Sequence, residues 1–287
     1  SDLVDVPRDV QLETCEFERW PEPAAPAPKK PCDPEGVARF AEMLAGAERP
    51  ILYIGGGVVA SGASAQVTAL ARAASIPVVS TLMGLGAFPA DDPLWLGMIG
   101  MHGTRATNVA VSESELFIAL GSRFNDRVTG DVNKFCKSAK IVQIDIDAAE
   151  INKNVRTAHH IQGDVKSVLQ RLLKILESAP LETAEREKWL NAIQTLKVPA
   201  RAPRHLGFTP KAIITETQNH LPKDAIVVTD VGQHQMWAAR YYGYEVPGTF
   251  ITSGGFGTMG YGSGAAMGAA VARQDRKVVL FTGDGCF

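Results

Sequence analysis

Val279-Leu-Phe-Thr-Gly-Asp-Gly285 sets an acidic residue between two glycines directly after an apolar run of strand type. In open parallel α/β sheets, ligands bind beyond the carboxyl ends of the strands. Glycines there let a phosphate approach the backbone, and the Asp284 carboxylate is a hard oxygen ligand suited to Mg²⁺. Alone, Gly283-Asp-Gly285 is equally a common turn sequence. Two comparable segments precede it: Asp230-Val-Gly-Gln-His-Gln-Met236 follows one apolar run, and Ser253-Gly-Gly-Phe-Gly-Thr-Met-Gly260 follows another. Three strand ends thus carry polar or glycine-rich loops, the setting needed by a phosphate-bearing ligand with a divalent cation.

Other candidates lie upstream. Gly55-Gly-Gly57 follows an apolar strand and lets a ligand close on the backbone, but it lacks the Gly-x-Gly-x-x-Gly spacing of a dinucleotide fingerprint. Arg123 and Arg127 stand four apart after another strand, where two guanidinium forks suit a diphosphate. The same arginines equally suit surface salt bridges to Asp126 or Asp131. His102, between Met101 and Gly103, has the setting of a hydrogen-bonded structural or contact residue, with no proton-transfer role.

Positioning these residues takes strands and helices, and the chain supplies them in alternation. From about residue 34 come a helix through Val37 to Leu44, a strand over 50–54, and a helix with Val67, Leu70, Ala71 and Ala74 on one face. Strands over 77–80, 116–120 and 141–144 follow. Short apolar runs separated by helical patterns predict βαβ units and a parallel sheet with helices on both faces. The block closes on a helix after Asp164, an N-cap residue type, with Val165, Val168, Leu169, Leu172, Leu173 and Leu176 on one face. A second block opens at Thr209-Pro210, a cap and first-turn proline for a helix through Ile213, Ile214 and Thr217. Strands over 225–228, 250–251 and 277–281 and a small-residue helix over 262–272 complete it.

The fold class is therefore α/β: a central parallel-sheet domain over 34–178, then an incomplete second α/β domain over 209–287. Residues 1–33 read as the tail of a preceding domain, with a strand end over 3–9, plus a linker rich in Pro and Ala. Residues 179–208, charged and then containing Pro and Arg, read as a connector.

Composition narrows the function. The 287 residues suit about two domains. Lys plus Arg (29) nearly balances Asp plus Glu (31), so no strong field draws the chain to nucleic acid or an anionic membrane. No apolar run reaches the roughly 18 residues that cross a bilayer, and the first residues lack a signal-peptide pattern. Cys15, Cys32, Cys136 and Cys286 form no Cys-x-x-Cys pair and have no His at metal-ligand spacing. That predicts neither a zinc site nor a disulfide framework, and fits a reducing, cytoplasmic compartment; a targeting segment ahead of residue 1 stays open.

In their order, the segments from Asp230, Ser253 and Thr282 resemble the diphosphate-binding domain of thiamine-diphosphate enzymes, in the wording of the acetohydroxyacid (acetolactate) synthases. The likeness continues through Leu82-Met-Gly-Leu-Gly-Ala-Phe-Pro89, Gly97-Met-Ile-Gly-Met-His-Gly103, Gly121-Ser-Arg-Phe-Asn-Asp-Arg127 and Ile144-Asp-Ile-Asp147. The resemblance implies a central FAD domain with contacts from Gly55, Gly56, Gly57, Thr81, Met83, Gly100, Met101 and His102. Gly121, Arg123, Asn125, Arg127, Asp145, Ile146, Asp164 and Val165 complete that implied set. In the last domain it implies that Gly257 offers its carbonyl to the aminopyrimidine of thiamine diphosphate and that Met259 wedges between the cofactor's rings. Gly232, Gln233, His234, Gly283 and Gly285 would surround the diphosphate, and Asp284 would ligate Mg²⁺.

The implied reaction joins pyruvate to pyruvate or 2-ketobutyrate with loss of CO₂, in branched-chain amino-acid biosynthesis, and FAD takes no net redox part. The family's catalytic glutamate and second Mg²⁺-ligating Asn are not found in these residues. The chain is therefore expected to be a fragment, inactive alone, of a homodimeric or tetrameric enzyme with a regulatory subunit as a further candidate partner. Two departures stand out: Cys286 where the family has a small Ser or Ala, and Ser263-Gly264 where a Leu-Pro is common. Three alternatives stay open. Another thiamine-diphosphate carboligase or decarboxylase need not bind flavin, a flavin oxidoreductase would have its FAD bleached by a substrate reductant, and the third is a noncatalytic nucleotide-binding module, since a parallel α/β sheet hosts many functions.

Overall fold

Five-residue apolar runs buried on both sides fit a parallel sheet between helical layers. The computed structural model, which describes residues 7–16, 18–19, 22, 32–197 and 208–287, contains a six-stranded parallel sheet of this kind and a smaller three-stranded one. A short helix α1 (Arg8–Leu12) comes first; α2 (Pro34–Ala45), β1 (Pro50–Ile54), α3 (Gly56–Ala60), α4 (Ser64–Ala73), β2 (Val78–Ser80) and β3 (Trp95–Met98) follow. Then come α5 (Arg105–Glu113), β4 (Leu116–Leu120), α6 (Asp126–Thr129), β5 (Lys140–Asp145), β6 (His159–Gln162), α7 (Val165–Ser178) and α8 (Ala184–Leu196). The six strands are parallel in the order β3-β2-β1-β4-β5-β6.

Period-two alternation divides the side chains between the two faces. Leu52, Ile54, Ile118 and Ile144 pack with the apolar stripes of α2, α4 and α7. Tyr53, Phe117, Ala119 and Ile141 pack with residues of α5 and α8. The Asp164 cap is made: its Oδ1 accepts the Ser167 N–H at 3.0 Å, and Val165, Val168, Leu169, Leu172 and Leu176 are buried behind it.

Several expectations need correction. The 179–208 span is more than a connector, because α8 lies in it and sends Trp189 and Ile193 into the core of the second face. Arg186, 1% exposed, donates from Nε to the Ala47 carbonyl at 2.9 Å, from Nη1 to that of Ala74 at 3.0 Å, and from Nη2 to that of Leu44. These carbonyls lie at the carboxyl ends of α2 and α4, so one guanidinium supplies the donor that Ala47 and Ala74 lack and adds a second to Leu44, which also accepts the Ala47 N–H at 3.2 Å. The rest of that span, 198–207, lies outside the described residues, as do the proline-rich linker over 23–31 and most of the expected strand end over 3–9. Arg8 and Asp9, placed by sequence in that strand end and turn, are helical.

The second domain runs α9 (Pro210–Asn219), β7 (Ile226–Thr229), α10 (Gln233–Tyr241), β8 (Phe250–Thr252), α11 (Tyr261–Ala272) and β9 (Val278–Phe281). Its strands are parallel in the order β8-β7-β9. The segment from Asp230 is not wholly loop, since α10 starts within it at Gln233. Thr209 Oγ1 accepts the Ala212 N–H at 3.2 Å as the α9 cap. Thr209→Ala is therefore expected to cost about 1 kcal/mol, read as a lower urea midpoint for this domain. Leu85 and Met98 from the first domain join Ile214, Val227, Tyr242, Tyr244 and Phe250 in one apolar cluster, which fixes the two sheets against each other. Among the described residues no helix is long and apolar enough to cross a membrane, and all four cysteines are free thiols.

Candidate functional site

In the order β3-β2-β1-β4-β5-β6, chain connections run outward in opposite directions from β1 and β4, which opens a crevice beyond their carboxyl ends. A cleft of about 1040 Å³ lies there, at the upper end of the usual range for ligand pockets and roomy enough for a dinucleotide. One end is lined by Asp145, Ile146, Asp164 and Val165 and the middle by Gly56, Gly57, Gly121 and Arg123; Thr81, Met83, Met101, His102, Asn125 and Arg127 line it as well. The second domain closes it with Ser253 to Gly257.

Not every implied contact reaches this space. Gly55 lies behind the wall, where an added Cβ would sit 2.4 Å from the Gly121 carbonyl oxygen. Gly57 lines the cleft, but its lack of a side chain chiefly serves the crossing of two loops: a Cβ would lie 2.6 Å from the Gly121 Cα, and its N–H donates to the Gly121 carbonyl at 2.9 Å. Gly100 also does not line the cleft. Its φ of +91° and the Arg127 carbonyl, 2.4 Å from where a Cβ would be, make it a loop-packing glycine. The Asn125 side chain is committed to capping α6, accepting the Val128 N–H at 3.1 Å.

The electrostatics differ along the cleft. Arg127 makes the salt bridge foreseen as an alternative, to Asp126, but at 3.9 Å with both side chains exposed it is weak and easily exchanged for a ligand. Among the described residues Arg123 has no ion-pair partner, so both guanidiniums are available to phosphate oxygens. Asp131 pairs instead with Lys134. At the far end burial holds the Asp145 carboxyl above its usual range, with the Asp147 N–H pulling the other way. Asp147 and Glu150 line the same end, making it a region of acceptors suited to hydroxyl groups. Sequence reasoning missed Glu150 and gave Asp147 no role, and it did not foresee Gly254, Gly255 and Phe256 at this cleft because their loop was assigned wholly to the other cofactor.

The second candidate site sits at the carboxyl ends of β7, β8 and β9. The His234 ring lies against Gly232 and Gly283, each of which would bring an added Cβ within 2.9 to 3.2 Å of it. Met259, 59% exposed, has its methyl 3.4 Å from where a Gly285 Cβ would be. Gln233 and His234 open α10, whose N-cap Gly232 provides no side-chain acceptor. Asp284 starts a 3₁₀ turn and is exposed beside Gly283. Gly257 reaches the first cleft too, so its loop separates the two sites. Ser263 and Gly264 lie inside the last helix, which starts at Tyr261 after Gly260 at φ +87°.

Two parallel α/β domains, one with a dinucleotide-sized crevice at its topological switch point and one with polar or glycine-rich segments at three strand ends, have the layout of a cofactor-binding protein. Residues 37–172 match the family described as thiamine pyrophosphate enzyme, central domain, and residues 230–287 match thiamine pyrophosphate enzyme, C-terminal TPP binding domain. The chain is 44% identical to a probable acetolactate synthase large subunit of Methanocaldococcus jannaschii, over 99% of this chain and 50% of that protein. It is 41% identical to the acetolactate synthase large subunit of Corynebacterium glutamicum, over 99% of this chain and 46% of that protein. Against the acetolactate synthase isozyme 1 large subunit of Escherichia coli K12 the values are 42%, 98% and 50%. The chain belongs to the thiamine pyrophosphate enzyme family, and within it is similar to acetolactate synthase large subunits. It spans about half the length of the relatives it matches.

Proposed function

We propose that this chain provides the flavin-binding domain and part of the thiamine-diphosphate-binding domain of an acetolactate synthase large subunit, which condenses two 2-keto acids with loss of CO₂ in branched-chain amino-acid biosynthesis. His234 carries the reading: its Nε2 is buried and has no hydrogen-bond partner, and it stands at an uncapped helix start between two glycines. A diphosphate anion supplies the partner such an arrangement lacks. Asp284 beside it offers Mg²⁺ one carboxylate, and that ion commonly takes one or two carboxylates and completes its shell with phosphate oxygens and water.

Thiamine diphosphate supplies the carbanion chemistry when bound. The residues of this chain bind and orient. His234, Gln233 and the start of α10 face the diphosphate, Met259 gives the rings a polarizable support, and Gly257 offers its carbonyl to the aminopyrimidine. In the first cleft Arg123 and Arg127 balance the charge of the FAD diphosphate, and Asp145 accepts from a ribose hydroxyl, as an acidic residue does in other switch-point sites. The relatives are named large subunits, and on that ground a smaller regulatory partner belongs to the same reading, together with homo-oligomeric assembly and a cytoplasmic setting.

Calorimetry of the purified chain with thiamine diphosphate and MgCl₂ is expected to show saturable heat that a chelator removes, and His234→Ala to weaken binding at least about tenfold, roughly 1.4 kcal/mol. FAD is expected to co-elute with the chain, with flavin absorbance near ~450 nm. Failure to bind either cofactor would overturn the reading.

A further inference from the structure

We propose that Asp230 is the positioning residue of the thiamine-diphosphate site, tying the segments that follow all three strands to one carboxylate. The inference rests on the reading of that site given above. Asp230 follows β7 and is 0% exposed. Its Oδ1 accepts the Val231 N–H at 2.8 Å and the Gly260 N–H at 3.0 Å, and its Oδ2 accepts the Gly262 N–H at 2.7 Å. The Cys286 thiol, which donates to the Val231 carbonyl at 3.2 Å, also lies within hydrogen-bonding reach of the carboxylate. His234, Met259 and Asp284 belong to three segments separated by some 20 to 50 residues of chain, and this side chain is the point at which all three segments meet.

The backbone is shaped for it. A Cβ on Gly262 would lie 2.9 Å from Asp230 Oδ2 and 3.1 Å from its Cβ, and Gly260 adopts φ +87°. Gly260 and Gly262 therefore let two donors on either side of Tyr261, at the α11 start, turn onto one carboxylate, whose charge also suits the positive end of that helix. Burial alone would raise the Asp230 pKa, but the N–H groups of Gly262 and Val231, the Cys286 thiol and the N–H of Gly260 outweigh it and hold the carboxyl below its usual range. Asp230 is fully buried and offers no surface to a ligand. Its part is to hold Met259 and His234 in register, which goes beyond capping a helix.

In Asp230→Asn one acceptor oxygen becomes an NH₂ donor, so at least one of the three N–H groups loses its partner in either amide orientation. Hydrogen exchange on the ligand-free chain is expected to speed up about tenfold or more at Gly260 and Gly262, with the first-domain strands unchanged. Calorimetry with thiamine diphosphate and Mg²⁺ is expected to show at least about a tenfold loss of affinity while FAD affinity stays within about twofold, a split that general destabilisation does not produce. Asp230→Glu keeps the charge but moves it, and is expected not to restore that affinity. If the Asn variant unfolds its domain, Gly262→Ala tests the same tie by crowding the carboxylate, with the same split expected. Unchanged exchange at Gly260 and Gly262 overturns the proposal; so does faster exchange with unchanged thiamine diphosphate affinity, which makes Asp230 a helix cap only. Failure of the parent chain to bind thiamine diphosphate overturns the functional reading and the proposal with it, and is seen before any substitution is made.

Discussion

Arg186→Met is expected to lower the stability of the first domain by about 3 kcal/mol. The guanidinium donates to the carbonyls of Leu44, Ala47 and Ala74, and methionine fills the space without donating to any of them. Charge-assisted bonds of this kind are worth roughly 1.5 to 3 kcal/mol each, but they are partly offset by the desolvation of the cation. That cost is visible in the Arg186 pKa, which burial pulls below its ordinary value while Glu115 pushes it back. The carbonyls of Ala47 and Ala74 then lose their donor, while that of Leu44 keeps the Ala47 N–H at 3.2 Å, and the two open carbonyls dominate the net loss. Thermal unfolding is expected to shift down by roughly 6 to 12 °C. Arg186→Lys keeps the charge but not the fork, and is expected to recover about one bond's worth, near ~1 kcal/mol. A loss under about 1 kcal/mol for methionine would show that the helices tolerate open carbonyls, contrary to the bracing role.

Gly121→Ala is the second large effect expected. At φ +53° any side chain is strained, and the new Cβ would lie 2.6 Å from the Gly57 Cα and 2.8 Å from its carbonyl carbon. Both neighbours are backbone, so neither can swing away, and the 2.9 Å bond from the Gly57 N–H to the Gly121 carbonyl must lengthen. The conformational part costs about 1 to 2 kcal/mol, and forced separation of packed backbone about 1 to 3 more. Because Gly56, Gly57 and Arg123 line the cleft on either side of this crossing, FAD affinity is expected to fall at least about a hundredfold, roughly 2.7 kcal/mol. Gly130→Ala is the control: its φ is +56°, yet nothing lies within 4 Å of the added Cβ. It should lose only the conformational part and retain flavin, so equal behaviour of the two variants would remove the crossing from the explanation.

The fold was legible wherever apolar runs were continuous. β1, β4 and β5 are buried through almost all of their length, and the leucine stripe of α7 lies on one face as its spacing required. β3 was missed because Gly97, at φ +111°, and a register shift at Val78/Val79 interrupt its pattern. β6 was missed because the edge sequence His159-His-Ile-Gln162 is mostly polar. α8 was hidden by its charged outer face and by an arginine at one of its buried positions, a residue type that periodicity counts as solvent-facing. In the first cleft, most of the contacts that the resemblance implied lie in the lining. Residue types could not show that Gly55 and Gly100 serve backbone packing, because the partners, Gly121 and Arg127, are distant in sequence. Asp230 was quoted as the head of a motif yet given no role for a similar reason: its partners are backbone N–H groups some 30 residues away.

The bracing of α2 and α4 by α8 also orders events in time. The bonds from Arg186 reach back 112 to 142 residues, and a ribosome delivers the chain from its amino end. All six strands of the first sheet, and the helices on one of its faces, therefore exist before the residue that closes their carboxyl ends has been made. During that interval the nascent domain has its sheet but lacks part of one cover and its long-range closure, the kind of contact that forms slowly. The newborn domain is therefore expected to gain protease resistance only once residues 184–196 have emerged, which limited proteolysis of stalled chains of increasing length would show.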